Sequence, residues 1–177
     1  MASAPNQSGV GKDCILTFEN FITGECQDAD AKIKDGVELR GFAWGVKTNR
    51  EAGRGQATGR RQYESLHCTA GVSKASPQIF QACFENQRIR SAVLHVRKQG
   101  ALDSSGKSQG EYYTLTLKQV AVTSYRSTIE SVSESPIPVD EFQLNFAEIE
   151  FTYLPQTASG GLGGAVSASD SLRNPVI

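Results

Sequence analysis

The sequence predicts a mainly β fold, a small β-barrel of two sheets with one flanking α-helix. Six segments are rich in aromatic and β-branched residues and are separated by clusters of Gly, Ser, Asp or Pro. Only one stretch carries apolar residues at helical spacing, which argues against a doubly wound nucleotide-binding fold, where strands and helices alternate. With 177 residues, 38% of them hydrophobic, the chain can bury a core without metal or disulfide bonds.

The predicted strands are, in chain order, Cys14–Phe18, Val37–Val46, Tyr63–Thr69, Ser91–Lys98, Glu111–Tyr125 and Glu141–Leu154. In the fourth, alternation turns Leu94 and Val96 to one face and Val93, His95 and Arg97 to the other. The apolar positions change parity near Lys118 and Gln119 and again near Ala147, so a bulge or bend is predicted at each place. Such bends are typical of a small closed barrel; burial of both faces, one of them in a subunit contact, is the alternative.

One helix is predicted over about residues 77–86. Ser76 offers an N-cap, and Pro77 suits the first helical position. Apolar residues then recur at spacings of three and four: Ile79, Phe80, Cys83 and Phe84. This helix is expected to cover an open side of the sheet.

The chain is predicted to consist of one barrel domain between two flexible ends. Residues 1–12 are predicted to be a flexible N-terminal arm, residues 13–156 the barrel domain, and residues 157–177 a flexible tail rich in Gly, Ser and Ala. Inside the barrel domain, residues 47–62 form a long polar loop. A structureless loop of this length in a compact domain commonly contacts another chain.

Composition and termini limit the function classes. Eighteen Lys and Arg oppose nineteen Asp and Glu, so the net charge of -1 creates no global attraction to nucleic acid or anionic membranes. Residues 1–12 lack the apolar core of a signal peptide, and no run approaches the roughly 20 apolar residues of a membrane span. The sequence therefore predicts a protein that starts soluble in the cytoplasm.

The cysteines are expected to be reduced thiols, mostly buried. No CxxC pair occurs among the four, and no signal peptide points to an oxidising compartment. They are Cys14, Cys26, Cys68 and Cys83.

No metal or cofactor site is predicted. Asp28 and Asp30 resemble the start of a calcium loop, but Lys32 and Ile33 stand where an oxygen ligand and a Gly are needed. A solvated turn is the better interpretation. The glycines of the long loop make neither GxGxxG nor a Walker sequence, so phosphate binding is not expected.

No catalytic constellation is predicted either. His67 and Cys68 are neighbours on a strand and therefore point to opposite faces. Neither His67 nor His95 stands at ligand or triad spacing from suitable partners. The chain is accordingly predicted not to be an enzyme.

The long loop carries a local basic cluster, opposed only by Glu51. It could contact another subunit, remain a solvated loop, or track a nucleic-acid backbone. Subunit contact is favoured, because the loop lacks the aromatic residues on which bases stack. The cluster consists of Lys47, Arg50, Arg54, Arg60 and Arg61.

Four stretches in this order resemble the hemolysin-coregulated protein family, Hcp, from Ile15 to about Gly164. They are GECQDADAKIKDGVELRGFAWGV, the helix SKASPQIFQACFENQ with the basic strand AVLHVRKQG, the strand EYYTLTLKQVAVTSY, and the closing EFQLNFAEIEFTYLPQ. No single stretch is decisive, but their combination is specific.

The resemblance implies a two-sheet barrel with one helix that assembles as a hexameric ring. Such rings stack into the inner tube of a bacterial type VI secretion system, which a contractile sheath expels with a spike protein at its tip and effector proteins as cargo. Secretion without a signal peptide follows, with no cofactor, nucleic acid or membrane insertion. The tail-tube protein of a phage or related contractile particle is the alternative.

The ring that the resemblance implies also raises the question of which face of the second strand meets its lumen. Alternation places Phe42 and Trp44 on one face and Leu39, Gly41 and Ala43 on the other. The small residues would then line the face opposite the bulky pair. Ala43 is accordingly predicted to face the lumen of the ring.

Overall fold

A computed structural model describes residues 14–19, 21–28, 30–48, 61–98, 110–130, 137–155 and 162–172. Within these ranges the chain forms ten strands and one helix. In order they are β1 (Cys14–Glu19), β2 (Val37–Ala43), β3 (Val46–Thr48), β4 (Arg61–Tyr63), β5 (Leu66–Gly71), α1 (Ala75–Phe84), β6 (Arg88–Lys98), β7 (Gly110–Glu130), β8 (Ile137–Asn145), β9 (Glu148–Tyr153) and β10 (Val166–Ser171).

Six of these strands close into a barrel. The main sheet has the order β10-β9-β7-β6-β1-β2-β5-β8, and β8 pairs back with β7. Strands β9 and β10 extend the sheet beyond β7, while β3 and β4 form a separate two-stranded sheet. The predicted small β-barrel with one helix is confirmed.

The barrel closes because β7 bends at Gln119. The N-terminal half of β7 pairs with β9 as far as Lys118, and the C-terminal half pairs with β8 from Ala121. Gln119 has a φ of 52°, and Leu117 and Val120 on its two sides are both buried. The parity switch predicted at this position is therefore confirmed.

At the second predicted switch the chain leaves the strand altogether. Strand β8 ends at Asn145 and β9 begins at Glu148. The Ala147 amide donates to the Lys118 carbonyl oxygen at 3.0 Å, beside the bend of β7. The predicted single strand 141–154 is thus two strands. Strand β8 lies between β5 and the C-terminal half of β7, and after the corner β9 lies between the N-terminal half of β7 and β10.

The inward side chains of the six barrel strands make the core. Completely buried examples are Leu16, Leu39, Leu66, Leu94, Leu115, Leu117, Phe142 and Leu144. Burying one such side chain contributes roughly 2 kcal/mol before chain entropy is subtracted. Leu94 and Val96, which alternation predicts to share a face, both face this core.

The opposite face of β6 is buried as well. His95 and Arg97 are buried there, and Asp28 from the segment between β1 and β2 pairs with Arg97 at 2.8 Å. Ile15 on the neighbouring strand packs with Cys26 and Ile33 of the same segment. The chain before β2 therefore covers a second, smaller core outside the barrel.

Helix α1 begins earlier than predicted. Its N-cap is Lys74, without a side-chain capping bond, so the assignment of Ser76 as N-cap and Pro77 as first helical residue is wrong. The Ser76 hydroxyl accepts a hydrogen bond from the Ser73 amide and donates to Asp140. Ser76 therefore lies inside the first turn. Its hydrogen bond to the buried Asp140 carboxylate anchors the helix to β8.

The predicted flexible tail contains a strand. Strand β10 pairs with β9 over six residues, from Val166 opposite Tyr153 to Ser171 opposite Glu148. Its sequence, VSASDS, is small and polar because most of its side chains are exposed. Backbone pairing with the edge of β9 stabilises this strand, and such pairing leaves little trace in the hydrophobic pattern.

Candidate assembly surfaces

The ends of the predicted loop 47–62 form the base of a β-hairpin. Val46, Lys47 and Thr48 pair with Tyr63, Gln62 and Arg61. We call the paired strands β3 and β4 the basic hairpin. Of the predicted contact residues, Lys47 lies in β3 and Arg61 in β4, whereas Arg50, Arg54 and Arg60 lie outside the described residues.

Both described basic residues of this hairpin have carboxylate partners. Lys47 pairs with Glu64, and this hydrogen bond raises the pKa of Lys47 and lowers the pKa of Glu64. Arg61 Nε lies 2.7 Å from Asp170 Oδ2 on β10. The base of the hairpin therefore offers a nucleic-acid backbone less unpaired positive charge than its sequence suggests.

Tyr63 adds a second link to β10. Its hydroxyl donates to Asp170 Oδ2 at 2.8 Å, and its ring meets Phe146 edge to face at 5.8 Å between centroids. Burial raises the pKa of Tyr63 to about 12, and the hydrogen bond to Asp170 acts in the same direction. The Tyr63 proton therefore stays in place at any physiological pH.

An aromatic cluster supports the other arm of the hairpin. Trp44 Nε1 donates to the Tyr113 hydroxyl at 2.7 Å, and the Trp44 and Phe151 rings lie 6.1 Å apart. Tyr113 also contacts Phe42 and Phe151. Phe42 and Trp44 thus point to one side, as predicted, and hold the start of the hairpin against β7 and β9.

Replacing Trp44 with Phe should lower the free energy of unfolding by about 1 kcal/mol, because one partly buried hydrogen bond is lost while the ring contact remains. Urea unfolding followed by circular dichroism would measure the change. In the matched double mutant, Tyr113→Phe should add little to Trp44→Phe. Full additivity of the two losses would show that this hydrogen bond contributes nothing.

Ala43 lies on the exposed face of the barrel wall, opposite His67 of β5. The prediction that Leu39 shares this face is wrong. The pairing of β2 with β5 shifts by one residue between Leu39 and Gly41, so Leu39 points into the core and Ala43 points out. A bulge of this kind reverses the parity that simple alternation assumes.

Polar side chains continue this face across β5, β8 and β7. One row runs from Ala43 through His67 and Gln143 to Ser124, and the next from Gly41 through Thr69 and Glu141 to Arg126. A shallow cavity of about 260 Å³ lies among these side chains. We call the two rows the polar wall.

Helix α1 presents an exposed aromatic pair. Phe80 and Phe84 are 52% and 63% exposed, with ring centroids 5.1 Å apart, and Phe80 also contacts Tyr125 of β7. The predicted apolar stripe therefore splits, because Ile79 enters the core while the two phenylalanines remain outside it. Exposed aromatic clusters of this kind are typical of protein contacts.

The cysteines and histidines offer little chemistry. All four cysteines are free thiols, with Cys26 and Cys68 buried. Burial raises the pKa of Cys14 to about 11 and raises that of Cys68 as well, so these thiols stay protonated and unreactive. His67 is exposed while Cys68 faces the core, as predicted.

The described residues contain no cluster of three or more potential metal ligands. Asp28 Oδ1 accepts the Asp30 amide, and Asp30 Oδ1 accepts the Lys32 amide, so the acidic pair forms a turn. His95 Nδ1 lies 3.1 Å from Glu111, a partly buried pair that the sequence pattern did not predict. Among the described helices, none is long and apolar enough to span a membrane.

Comparison with known families decides the identity of this barrel. A family model described as type VI secretion system effector, Hcp, matches residues 15–153. The chain belongs to the Hcp family. The resemblance found in the sequence is thereby confirmed.

Two relatives that are similar to this chain come from Pseudomonas aeruginosa. Protein hcp1 is 34% identical over 114 residues, which are 64% of this chain and 66%, just under two thirds, of that protein. The Major exported protein is 27% identical over 143 residues, covering 81% of this chain and 78% of the relative.

Solved structures show the same fold. A type six secretion system protein superposes with a TM-score of 0.77 at 23% identity, covering 91% of this chain and 96% of its own. Hcp1 from Salmonella typhimurium gives a TM-score of 0.67 at 19% identity over 91% and 95% of the two chains. The Hcp barrel is thus retained at low sequence identity.

Geometry explains one of the Hcp-like stretches. In Gly24-Glu25-Cys26, the Gly24 amide donates to the Asp35 carbonyl at 2.6 Å, and the Cys26 amide donates to Gly36 at 3.2 Å. A Cβ atom on Gly24 would lie 2.0 Å from the Gly36 carbonyl oxygen. Only glycine allows the two backbones to approach so closely ahead of β2.

Proposed function

We propose that this Hcp-family chain is a structural subunit of the type VI secretion inner tube. Six copies would form a ring, rings would stack into a tube, and sheath contraction would expel the tube with a spike protein at its tip. Effector proteins would travel in the lumen, held by contacts rather than changed by catalysis. The match to the type VI secretion family over most of the barrel carries this proposal.

The surfaces of the barrel suit such an assembly. A closed ring of identical subunits needs two different, complementary surfaces on each copy. The exposed Phe80 and Phe84 pair supplies one apolar contact, and the basic hairpin supplies a second element outside the barrel sheet. The outer edge of β10, at the end of the main sheet, could be covered by a neighbour in the same assembly.

Partners and location follow from this role. The chain would bind itself, the spike protein, the contractile sheath and effector cargo, without cofactor, nucleic acid or membrane insertion. It would assemble in the cytoplasm and leave through the type VI apparatus without a signal peptide. A tail-tube protein of a phage or related particle is the second candidate, but the family matched is one of type VI secretion.

The mass of the native protein in solution tests the ring. Light scattering should give six times the subunit mass of 19.1 kDa, and negative-stain images of the same peak should show a central hole. A protein that stays monomeric when concentrated would contradict the proposed assembly. Appearance in the culture fluid only while the type VI apparatus is intact would separate the secretion role from the phage role.

Ala43→Gln tests whether the polar wall faces the lumen. The longer side chain should lower the amount of protein that co-purifies with rings from the native cell by about tenfold. Because Ala43 is exposed, the free energy of unfolding should change by no more than about 0.5 kcal/mol. Mass spectrometry of the co-purified proteins measures the effect, and Ala43→Ser is the matched control of similar size.

If Ala43→Gln rings retain the same proteins as wild-type rings, Ala43 does not face cargo. If the variant instead forms no ring, Ala43 lies in a subunit contact. Either result would move the lumen to another face of the barrel.

A further inference from the structure

Strand β10 contacts the basic hairpin through the carboxylate of Asp170. Asp170 Oδ2 lies 2.7 Å from Arg61 Nε and 2.8 Å from the Tyr63 hydroxyl, which donates to it. The two donors belong to the same arm of the hairpin, β4. The side chains of Asp170 and Arg61 are only 21% and 33% exposed, so the contact is partly shielded from water.

The backbone holds Asp170 from behind. Asp170 stands opposite Ile149 in the pairing of β10 with β9, and Ile149 is buried in the core. Just after it, the Leu172 amide donates to the Ala147 carbonyl at 2.8 Å, at the corner between β8 and β9. Backbone pairing therefore fixes the position of Asp170, and Asp170 in turn positions the β4 arm of the hairpin.

The neighbouring residues show that this orientation is specific. Ser169 and Ser171 point to the other face of β10, away from the hairpin. Tyr63 is also packed against Phe146 beside the same corner. An aromatic contact and two charge-assisted hydrogen bonds thus fix one arm, whereas the aromatic cluster around Trp44 fixes the other.

We infer that Asp170 is a positioning residue that sets the direction of the basic hairpin toward a second copy of this chain. This rests on the proposed function, in which the hairpin contacts an adjacent subunit or ring. Strand β10 then contributes to assembly, because it holds the hairpin in the orientation that ring stacking requires. Pre-ordering the hairpin lowers the entropy lost on contact.

Asp170→Ala, with Ser169→Ala as the matched control on the opposite face, tests the inference. Hydrogen exchange of the amides in β3 and β4 should become about tenfold faster in Asp170→Ala, because opening of the hairpin base no longer breaks charge-assisted bonds. Rings should still form. The protein concentration at which rings stack, followed by sedimentation and negative stain, should rise by about tenfold.

A second variant separates positioning from folding. Tyr63→Phe removes one hydrogen bond to Asp170 and keeps the ring contact with Phe146, so it should show a smaller change in the same direction. Asp170→Ala and Tyr63→Phe together should exceed Asp170→Ala only slightly. Asp170→Asn, which keeps an acceptor for Tyr63 but loses the charge for Arg61, should lie between wild type and Asp170→Ala.

Equal exchange rates in Asp170→Ala and Ser169→Ala would overturn the inference. So would faster exchange combined with unchanged stacking, since the hairpin direction would then not matter for assembly. If the wild-type protein forms no rings, the proposed function fails and with it the link to stacking. In that case the exchange rates still decide whether Asp170 holds the hairpin.

Discussion

Gly24→Ala should lower the free energy of unfolding by about 3 kcal/mol, at the upper end of the cost of overpacking. The new Cβ atom would lie 2.0 Å from the Gly36 carbonyl oxygen and 2.7 Å from the Val37 amide nitrogen. Both are backbone atoms, so no side chain can move away to relieve the clash. The segment before β2 would have to shift as a whole.

That shift would disturb the smaller core on the outside of the barrel. The segment holds Cys26 and Ile33 against Ile15 and brings Asp28 to Arg97. Its displacement would further expose the partly buried pair of His95 and Glu111 on the same face. The effect should therefore extend to β6 and β7, while the main core stays packed.

Thermal unfolding at a fixed protomer concentration measures this change, since assembly also contributes to apparent stability. About 3 kcal/mol corresponds to a Tm lower by roughly 10 °C for a domain of this size. The matched control is Gly41→Ala, where no atom lies within 4 Å of the added Cβ. Equal Tm values for the two variants would show that the segment adapts without cost.

The barrel could be predicted because its inward positions follow local rules. Alternation placed Leu94 and Val96 on one face of their strand, which proves to be the core face, and the change of parity around Gln119 predicted the bend at that position. These signals depend on neighbouring residues in one strand. They are present in the sequence even though the pairing partners are far apart in the chain.

The errors arose where long-range contacts replace local patterns. The bulge before Gly41 turned Leu39 inward, because the register of β2 is fixed by β5 and not by its own sequence. The prediction that Ser76 caps the helix is wrong because a carboxylate from β8 engages its hydroxyl. No local rule could bring Asp140 to the start of this helix.

The surfaces were harder to predict than the core. The cluster of basic residues was recognisable in the sequence, but the carboxylates that pair with Lys47 and Arg61 come from outside the hairpin, and one of them from β10. Strand β10 itself is small and polar, so composition indicated a flexible tail. Backbone pairing with β9 nevertheless makes this segment a strand, since an edge strand needs backbone partners more than apolar side chains.

Asp140→Ala should cost about 3 kcal/mol of stability, because two hydroxyl groups lose a buried acceptor. Asp140 is only 1% exposed. It accepts hydrogen bonds from Ser76 of α1 and, at 2.9 Å, from the Tyr125 hydroxyl of β7. One carboxylate thus joins the helix to two strands of the barrel.

Urea unfolding measures the loss, and Glu141→Ala is the matched control. Glu141 is the next residue of the same strand and points to solvent, so its removal should change stability by no more than about 0.5 kcal/mol. Asp140→Asn keeps an acceptor oxygen and should lose less than Asp140→Ala. Unfolding midpoints of Asp140→Ala and Glu141→Ala that coincide would contradict this role for Asp140.

The same substitution should also change the titration of Tyr125. Burial raises the pKa of Tyr125, and the hydrogen bond and charge of Asp140 add to the effect. Removal of Asp140 should therefore lower the alkaline pKa of Tyr125 in a spectroscopic titration.

Because Tyr125 contacts Phe80 on α1, a helix released from Asp140 should also hold Phe80 and Phe84 in a less fixed position. Weaker ring formation by Asp140→Ala than by Glu141→Ala, at a temperature where both are folded, would then place this pair in the subunit contact.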